Sequence, residues 1–402
     1  MSKRKENAAL FPPWPIWDEE DVGVLTSVLR SGNWWCGAPG DRVGENLWEF
    51  QQEFARFQEA KHCIAVANGT VAIETVLLAL GVGLGDEVIV SDYTFVASAS
   101  AVISVNAVPI FCDIDPDTLV MDVGKVESLI NSRTKAVIAV HLGGNPVAMD
   151  RLCALASIHG LRVIEDCAHA QGSRYRGKRV GSWGDAGTFS FQASKVLTAG
   201  EGGCIVCNDD SLAERIYRIS DCGRRPGEYF YGHYEYGTNY RMSEFLAALL
   251  RSQLKKFPVQ HQTRNKNARY LMRLLNVIDG IRVMKPTEGT DEMGYYIYPF
   301  LFSPSRFGGI TKEELKKTLN EAGIPTDDCY PPLHSLACFR DIQLRKGIDY
   351  TGANWGGDKS DDSFFPVVSD VYTRSIQLPH YVLLAGQKPL DYIADCIRKL
   401  VH

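Results

Sequence analysis

GTFSFQASKVLTAGEGG, residues 187–203, joins an apolar, β-prone run (Thr188, Phe189, Phe191) to Lys195 and then to a loop containing Gly200, Gly202 and Gly203. Those glycines serve a tight turn. A lysine at that point does little for folding. Upstream, LRVIEDCAHAQGS, residues 161–173, is a second apolar run that ends in Glu165 and Asp166, and Asp166 lies 29 residues before Lys195. One strand ending in an acid and a second leading to a lysine are what a pyridoxal phosphate (PLP) enzyme needs. The amine forms a Schiff base, and the carboxylate keeps the pyridine nitrogen protonated so that the ring can accept electrons.

Outward from this pair, short apolar runs recur after His62: CIAVA, EVIVS, VPIFC, KAVIAV and LRVIE, separated by helix-length amphipathic segments. The alternation predicts an α/β domain whose largely parallel sheet carries helices on both faces. Sites in such sheets lie at the carboxyl ends of strands. Asn68-Gly69-Thr70 follows CIAVA, Tyr93-Thr94-Phe95 follows EVIVS, His141 follows KAVIAV and Asp166 follows LRVIE, so four strand ends agree. Gly69-Thr70 opening a helix offers unpaired amides and the positive end of a helix dipole to a phosphate. Taken alone, the same triplet is more often an N-cap turn. Phe95 is core in most such positions, yet here it can stack on a flat ring. Asp166 alone reads as a cap or ion-pair partner, and Lys195 alone as a solvated side chain; their order and spacing change those odds.

A chain of 402 residues suggests two domains around a shared cleft. The reading places an amino-terminal arm and a large domain in 1–257, and a linking helix with a smaller α+β domain in 258–402. A formal net charge of −5 and a pI near 6.0 give no basic field for nucleic acid, so small molecules are the expected partners. MSKRKENAALFPPWPIW holds no apolar run ahead of its prolines, which argues against a secretory signal or membrane anchor and for a cytoplasmic protein. Eleven cysteines scattered through apolar runs read as reduced, mostly buried thiols. Cys204 and Cys207 form a CxxC inside the strand-like run GCIVC, where that spacing sends the side chains to opposite faces and excludes a zinc site.

Elsewhere, Phe11 to Trp17 reads as an extended arm laid over an apolar surface, of this chain or a second subunit. Asp18 caps a helix with Val22, Leu25 and Leu29 on one face, ended by Gly32. Leu47, Phe50, Phe54 and Phe57 form a helical stripe read as core. Two helices are expected at about Ser243–Leu254 and Pro258–Leu275, followed by strand, helix and strand (IRVM, GYYIYPFLF, KEELKKTLNEAG closed by Gly323), a surface loop at Lys346–Asp362 and a last helix at about Gln387–Leu400.

Together, NGT, YTF, EDCAHAQG, FSFQASK followed by TAGEGG, and GTNYRMSEF resemble, in this order, the DegT/StrS family of PLP-dependent sugar aminotransferases, over nearly the whole chain from about Phe11. The resemblance implies the fold-type I architecture and pyridoxal 5'-phosphate as cofactor. It implies that Lys195 is the Schiff-base lysine, that Asp166 holds the pyridine nitrogen and that His169 contacts the phenolic oxygen. Gly69, Thr70 and Ser190 then bind the phosphate, and Phe95 covers the ring. Asn239 reaches the phosphate of a neighbouring subunit, which implies a homodimer with shared sites. The expected activity is transfer of an amino group from glutamine or glutamate to a keto-cyclitol or keto-sugar through a pyridoxamine phosphate form, in secondary metabolism, including antibiotic biosynthesis, or in surface-glycan synthesis. FPPWPIW, CGRRPGE and IQLPHYVLLAG look more like the branch of inosose aminotransferases and 3-amino-5-hydroxybenzoate synthase than the nucleotide-sugar branch. His334 and His380 match positions near the substrate mouth, with a packed or solvated histidine as the alternative. Arg224 and Arg225 either meet a carboxylate or phosphate or are surface arginines. The competing readings are a PLP-dependent dehydratase of the aminohydroxybenzoate type, a nucleotide-sugar aminotransferase, and a non-catalytic regulatory protein on the same fold.

Overall fold

Each apolar run expected to be a strand is one in the computed structural model, which describes residues 10–35, 44–225, 227–340, 347–350, 353–355 and 362–401. The strands are β1 (His62–Val66), β2 (Glu87–Ser91), β3 (Val108–Cys112), β4 (Thr134–Val140), β5 (Arg162–Asp166), the two-residue β6 (Arg174–Tyr175) and β7 (Lys178–Arg179), β8 (Ala186–Ser190) and β9 (Gly203–Cys207). Seven of them make one sheet in the order β1-β9-β8-β5-β4-β2-β3. From β8 to β3 all neighbours are parallel, whereas β9 runs antiparallel to both β8 and β1.

Side chains alternate between two apolar layers, one on each face of this sheet. Ala65, Ile89, Val137, Phe189 and Cys204 belong to the first, and Ile64, Val88, Ile138, Ile205 and Cys207 to the second. The CxxC is therefore split across the sheet, as strand periodicity requires. In the first layer the helix Glu45–Phe57 presents the expected stripe. Phe54 meets Phe189 edge-on at 5.1 Å and Phe191 at 5.4 Å, while Phe50 meets Phe191 at 5.5 Å. These rings lie beneath the strand that leads to Lys195.

The capped helix at the amino end spans Glu19–Ser31, with a capping box between Asp18 and Asp21 and a left-handed Gly32 at its end. Its apolar side is not the buried one. Val22 and Leu29 are exposed, while Asp21 and Val28 are buried, because Asp21 is drawn inward by Gln253 and Lys256. The two helices expected around Pro258 are one, Glu244–Leu275. Proline removes a single donor there, and the buried face on either side of it (Leu254, Phe257, His261, Ala268) keeps the helix continuous.

Beyond that helix, β10 (Ile281–Val283), β12 (Ile297–Phe302) and β13 (Ser375–Pro379) form an antiparallel sheet in the order β10-β12-β13, accompanied by helix Lys312–Glu321. β11 (Thr290–Glu292) pairs instead with β6. The last helix is Gln387–Arg398. Much of the expected loop at 346–362 falls outside the described residues; its described part is exposed at Gly347, Asp349 and Asp362 but anchored inward between them. Tyr350, Ala353 and Trp355 are buried, and Trp355 donates its indole N–H to Pro109 at 2.6 Å. Large apolar anchors outweigh the Gly, Asp and Ser around them.

Replacing Phe54 by Ala should remove about 3–5 kcal/mol of stability. Chemical denaturation of the two proteins side by side measures the difference.

Candidate active site

Seven residues singled out in the sequence line one cavity of about 670 Å³: Gly69, Thr70, Phe95, Asp166, His169, Ser190 and Lys195. Strand order brings them there. β5 and β8 are parallel neighbours with Asp166 opposite Thr188, so the acid at the end of β5 and the segment after β8 reach the same edge.

Asp166 is buried, and both of its oxygens accept hydrogen bonds, from Ser98 Oγ at 2.7 Å and from the Ala168 amide at 3.1 Å. Ser98, on the helix Ala97–Ser104, escaped the sequence reading because a serine in a small-residue run carries no signal. Glu165, one position earlier, faces the other way. It accepts from the amides of Gly181, Trp183 and Gly184 and from His141 Nε2 at 3.0 Å, while His141 Nδ1 accepts from Val147. His141 thus serves the framework rather than the cavity. His141, Glu165 and Cys167 lie within metal-ligating distance of one another, but hydrogen bonds from protein donors already engage the imidazole and the carboxylate.

Lys195 is only 8% exposed, and burial lowers its pKa from 10.5 to about 8, with Asp166 opposing that fall. Its Nζ lies 4.2 Å from the centre of the Tyr296 ring. Tyr296 also contacts His169, with ring centres 4.2 Å apart, and shares a 2.8 Å hydrogen bond with Ser194 Oγ. The His169 ring also lies nearly parallel to that of Tyr330, with centres 5.8 Å apart. Nδ1 of His169 accepts from the Gly143 amide at 3.3 Å, which assigns the ring proton to Nε2, 3.3 Å from Tyr330 Oη. Burial first and the Lys195 charge second push this imidazole well below its usual pKa, so it is neutral. Tyr296 and Tyr330 were missed in sequence, since both sit in runs that read as ordinary strand or loop. Phe95 is 53% exposed at the rim, its ring 6.0 Å from that of Tyr330.

The anion cradle is built by close approach. Asn68 caps the helix Gly69–Ala79 by accepting from Val71 at 3.0 Å. The first-turn amides of Gly69 and Thr70 have no intrahelical acceptor. A Cβ on Gly69 would come within 2.9 Å of Ser190 Cβ, and one on Gly203 within 2.4 Å of the Asn68 carbonyl. Of the three loop glycines, Gly200 and Gly202 have left-handed φ of +89° and +137°, whereas Gly203 is needed for that contact instead.

Five candidates do not line the cavity of this chain. His334 is fully buried, bound to Asp92 at 2.6 Å and to Asp362 at 3.2 Å, because an apposed buried carboxylate holds an imidazole more firmly than an open mouth can. His380 binds the Ser194 carbonyl at 3.0 Å. Arg224 donates to the Phe230 carbonyl and to Asp221, and Arg225 lies 3.6 Å from Glu214 and over the Tyr234 ring. Asn239 is exposed and bridges to Asp221.

Fold and cavity together define a PLP-dependent aminotransferase of fold type I, and the chain belongs to the DegT/DnrJ/EryC1/StrS aminotransferase family, which it matches over residues 15–398. It is 37% identical to the L-glutamine:2-deoxy-scyllo-inosose aminotransferase of Streptomyces paromomycinus, covering 97% of this chain and 95% of that one. It is 35% identical to the 3-amino-5-hydroxybenzoate synthase of Amycolatopsis mediterranei, covering 100% and 99%. The crystal structure of a 3-amino-5-hydroxybenzoic acid synthase superposes with a TM-score of 0.87 at 32% identity, covering 97% of this chain and 98% of that one. Among the described residues no helix is long and apolar enough to cross a membrane.

The displaced pKa of Lys195 has a signed consequence. The folded protein sheds this proton near pH 8 and the unfolded chain near 10.5, so at pH 7 the buried charge costs the cofactor-free protein about 3 kcal/mol, a cost that fades as pH rises from 8 to 10.5. Lys195→Met should therefore stabilise the cofactor-free protein at pH 7 by up to that amount, and the gain should shrink towards pH 10.5 in urea titrations. In the native chain, the rate at which added PLP is captured should climb with pH up to about 8 and then level off.

Proposed function

We propose that this chain transfers an amino group from glutamine, or glutamate, to a keto-cyclitol or a related keto-sugar. One observation carries the reading: a buried lysine whose amine is about half-neutral near pH 8 shares a cavity wall with a buried, doubly hydrogen-bonded aspartate. The cavity suits PLP in its donor set, with a helix start, two hydroxyls and a glycine cradle for a phosphate, an acid for a ring nitrogen and an amine for an aldehyde. When bound, PLP supplies a carbonyl that condenses with amines and a ring that accepts the electron pair left on carbon.

Lys195 would hold the group covalently, Asp166 would hold its ring nitrogen, and Gly69, Thr70 and Ser190 would take the phosphate. Phe95 would cover the ring, and His169 would face the phenolic oxygen. When not bonded to the cofactor, the Nζ of Lys195 would serve as the base. It takes a proton from the donor's α-carbon and later returns one to the acceptor, a task for which a pKa near the working pH is suited. Tyr296, whose ring faces the amine, and Tyr330 line one side of this path. The working form is a cytoplasmic homodimer in which the partner subunit's Asn239 completes the phosphate site, a reading supported by the exposure of Asn239 and its absence from this chain's own cavity.

Likeness over the full chain to 3-amino-5-hydroxybenzoate synthase favours a second reading, an aromatising dehydration on the same lysine. The two differ in their need for a donor. Incubation with neutral inososes should give an aminocyclitol only when glutamine or glutamate is present; conversion of an aminocyclohexenone to an aromatic amine without any donor would select the dehydratase. Borohydride should fix the cofactor to the peptide holding Lys195, and Lys195→Ala should lose both labelling and at least about 10³-fold in turnover. Full turnover by that variant would end the reading.

A further inference from the structure

Trp14, in the arm ahead of the first helix, donates its indole N–H to the carbonyl of Ala193 at 3.0 Å. His380, just past β13, meets the carbonyl of the next residue, Ser194, with Nε2 at 3.0 Å. A carbonyl only accepts, so Nε2 carries the proton. The two rings touch edge to face, 4.3 Å apart at 88°. Arg264, buried in the long helix, lies over the Trp14 ring at 5.3 Å and reaches the carbonyl of Val196 at 3.5 Å. Three side chains, drawn from the two ends of the chain and the long helix and joined through the Trp14 ring, thus hold the backbone carbonyls on either side of Lys195.

We propose that Trp14 and His380 are positioning residues for Lys195: together they fix the backbone from which the amine projects, and make the amino-terminal arm part of the catalytic apparatus. Ala193 and Ser194 are themselves exposed, so burial does not hold them. A lysine side chain has four rotatable bonds, and its amine is placed only as well as its Cα. His141 shows how a framework histidine looks in this protein, with both ring nitrogens bonded. His380 differs: its Nδ1 is buried without a hydrogen-bond partner among the described residues, so its one polar contact is the Ser194 carbonyl. Burial, Arg264 and Lys195 all push its pKa well below the usual value, so the imidazole stays neutral while Lys195 titrates. The other titratable groups on the cavity wall, Asp166, His169, Glu201, Tyr296 and Tyr330, are left in place by substitutions at 14 and 380.

The inference rests on Lys195 being the cofactor-bearing amine, and the experiment separates the two ideas. Holoenzyme is prepared as the native chain, Trp14→Phe, His380→Ala, His380→Gln and the double variant Trp14→Phe/His380→Ala. Each is titrated with pH, without substrate, while the visible absorption of the lysine-bound cofactor is followed, and kcat, KM and thermal midpoint are then measured. Trp14→Phe and His380→Ala should each lower kcat about 10-fold with KM within about threefold, and should shift the pH midpoint by about half a unit. His380→Gln, which keeps a donor, should recover much of both, and the double variant should fall short of the product of the single effects. Unchanged kcat and midpoint in folded variants would overturn the proposal. So would a loss of activity that merely tracks thermal stability with the midpoint unmoved. A native protein without the lysine-bound absorption would instead remove the reading of Lys195, and this inference with it.

Discussion

The parallel pairing of β5 with β8 is the constraint on which the site depends. Parallel neighbours end on the same edge of a sheet, so the residue closing β5 and the chain leaving β8 must meet there. With Asp166 opposite Thr188, Ser190 ends β8 at the same edge, and the turn that follows returns Lys195 to the cavity wall. β9 then runs back antiparallel beside β8, and Gly203 lets it pass close to Asn68, drawing the helix start against Ser190. Acid, amine and cradle are thus set by the order of four strands and two side-chain-free contacts.

Burial does the electrochemical part. Removing the Lys195 amine from water disfavours its charged form, and Asp166 opposes this without cancelling it. The outcome is an amine close to half-neutral near pH 8 in a site walled by Tyr296, His169 and Tyr330. His169 follows the same rule. A second cation so near Lys195 would be costly, and burial keeps the imidazole neutral, with its proton on the nitrogen that faces Tyr330.

Much of this was legible in the sequence because it rests on local pattern. Apolar runs of strand length, NGT at a helix start, and an acid and a lysine at the ends of two runs each report a position in the sheet, and the sheet does the rest. What stayed hidden depends on contacts between distant segments. Nothing in GYYIYPFLF marks Tyr296 as the ring beneath a lysine 101 residues earlier, and a serine in ASASAVIS gives no sign that it binds Asp166. His334 and His380 illustrate the converse. Each sits in a recognisable motif, yet the structure gives their nitrogens to Asp92 and to the Ser194 carbonyl. Pro258 misled for a different reason, since one missing donor is a small loss for a helix buried on both sides of it.

Charge balance in the cavity draws these points together. Lys195 is the only lysine or arginine among its described lining residues, and on the proposed reading it must give up its charge to act. A phosphate bound there cannot then lean on that side chain. An arginine placed beside the phosphate would repel the protonated lysine and lower its pKa further, weakening its grip on the proton it has to carry. Amide groups and a helix dipole avoid this conflict, because their field falls off within the first turn. The Gly69 helix start therefore does more than bind an anion. It lets the site hold one without a second full positive charge near the amine, and so keeps that amine close to the pH at which it can both take and return a proton.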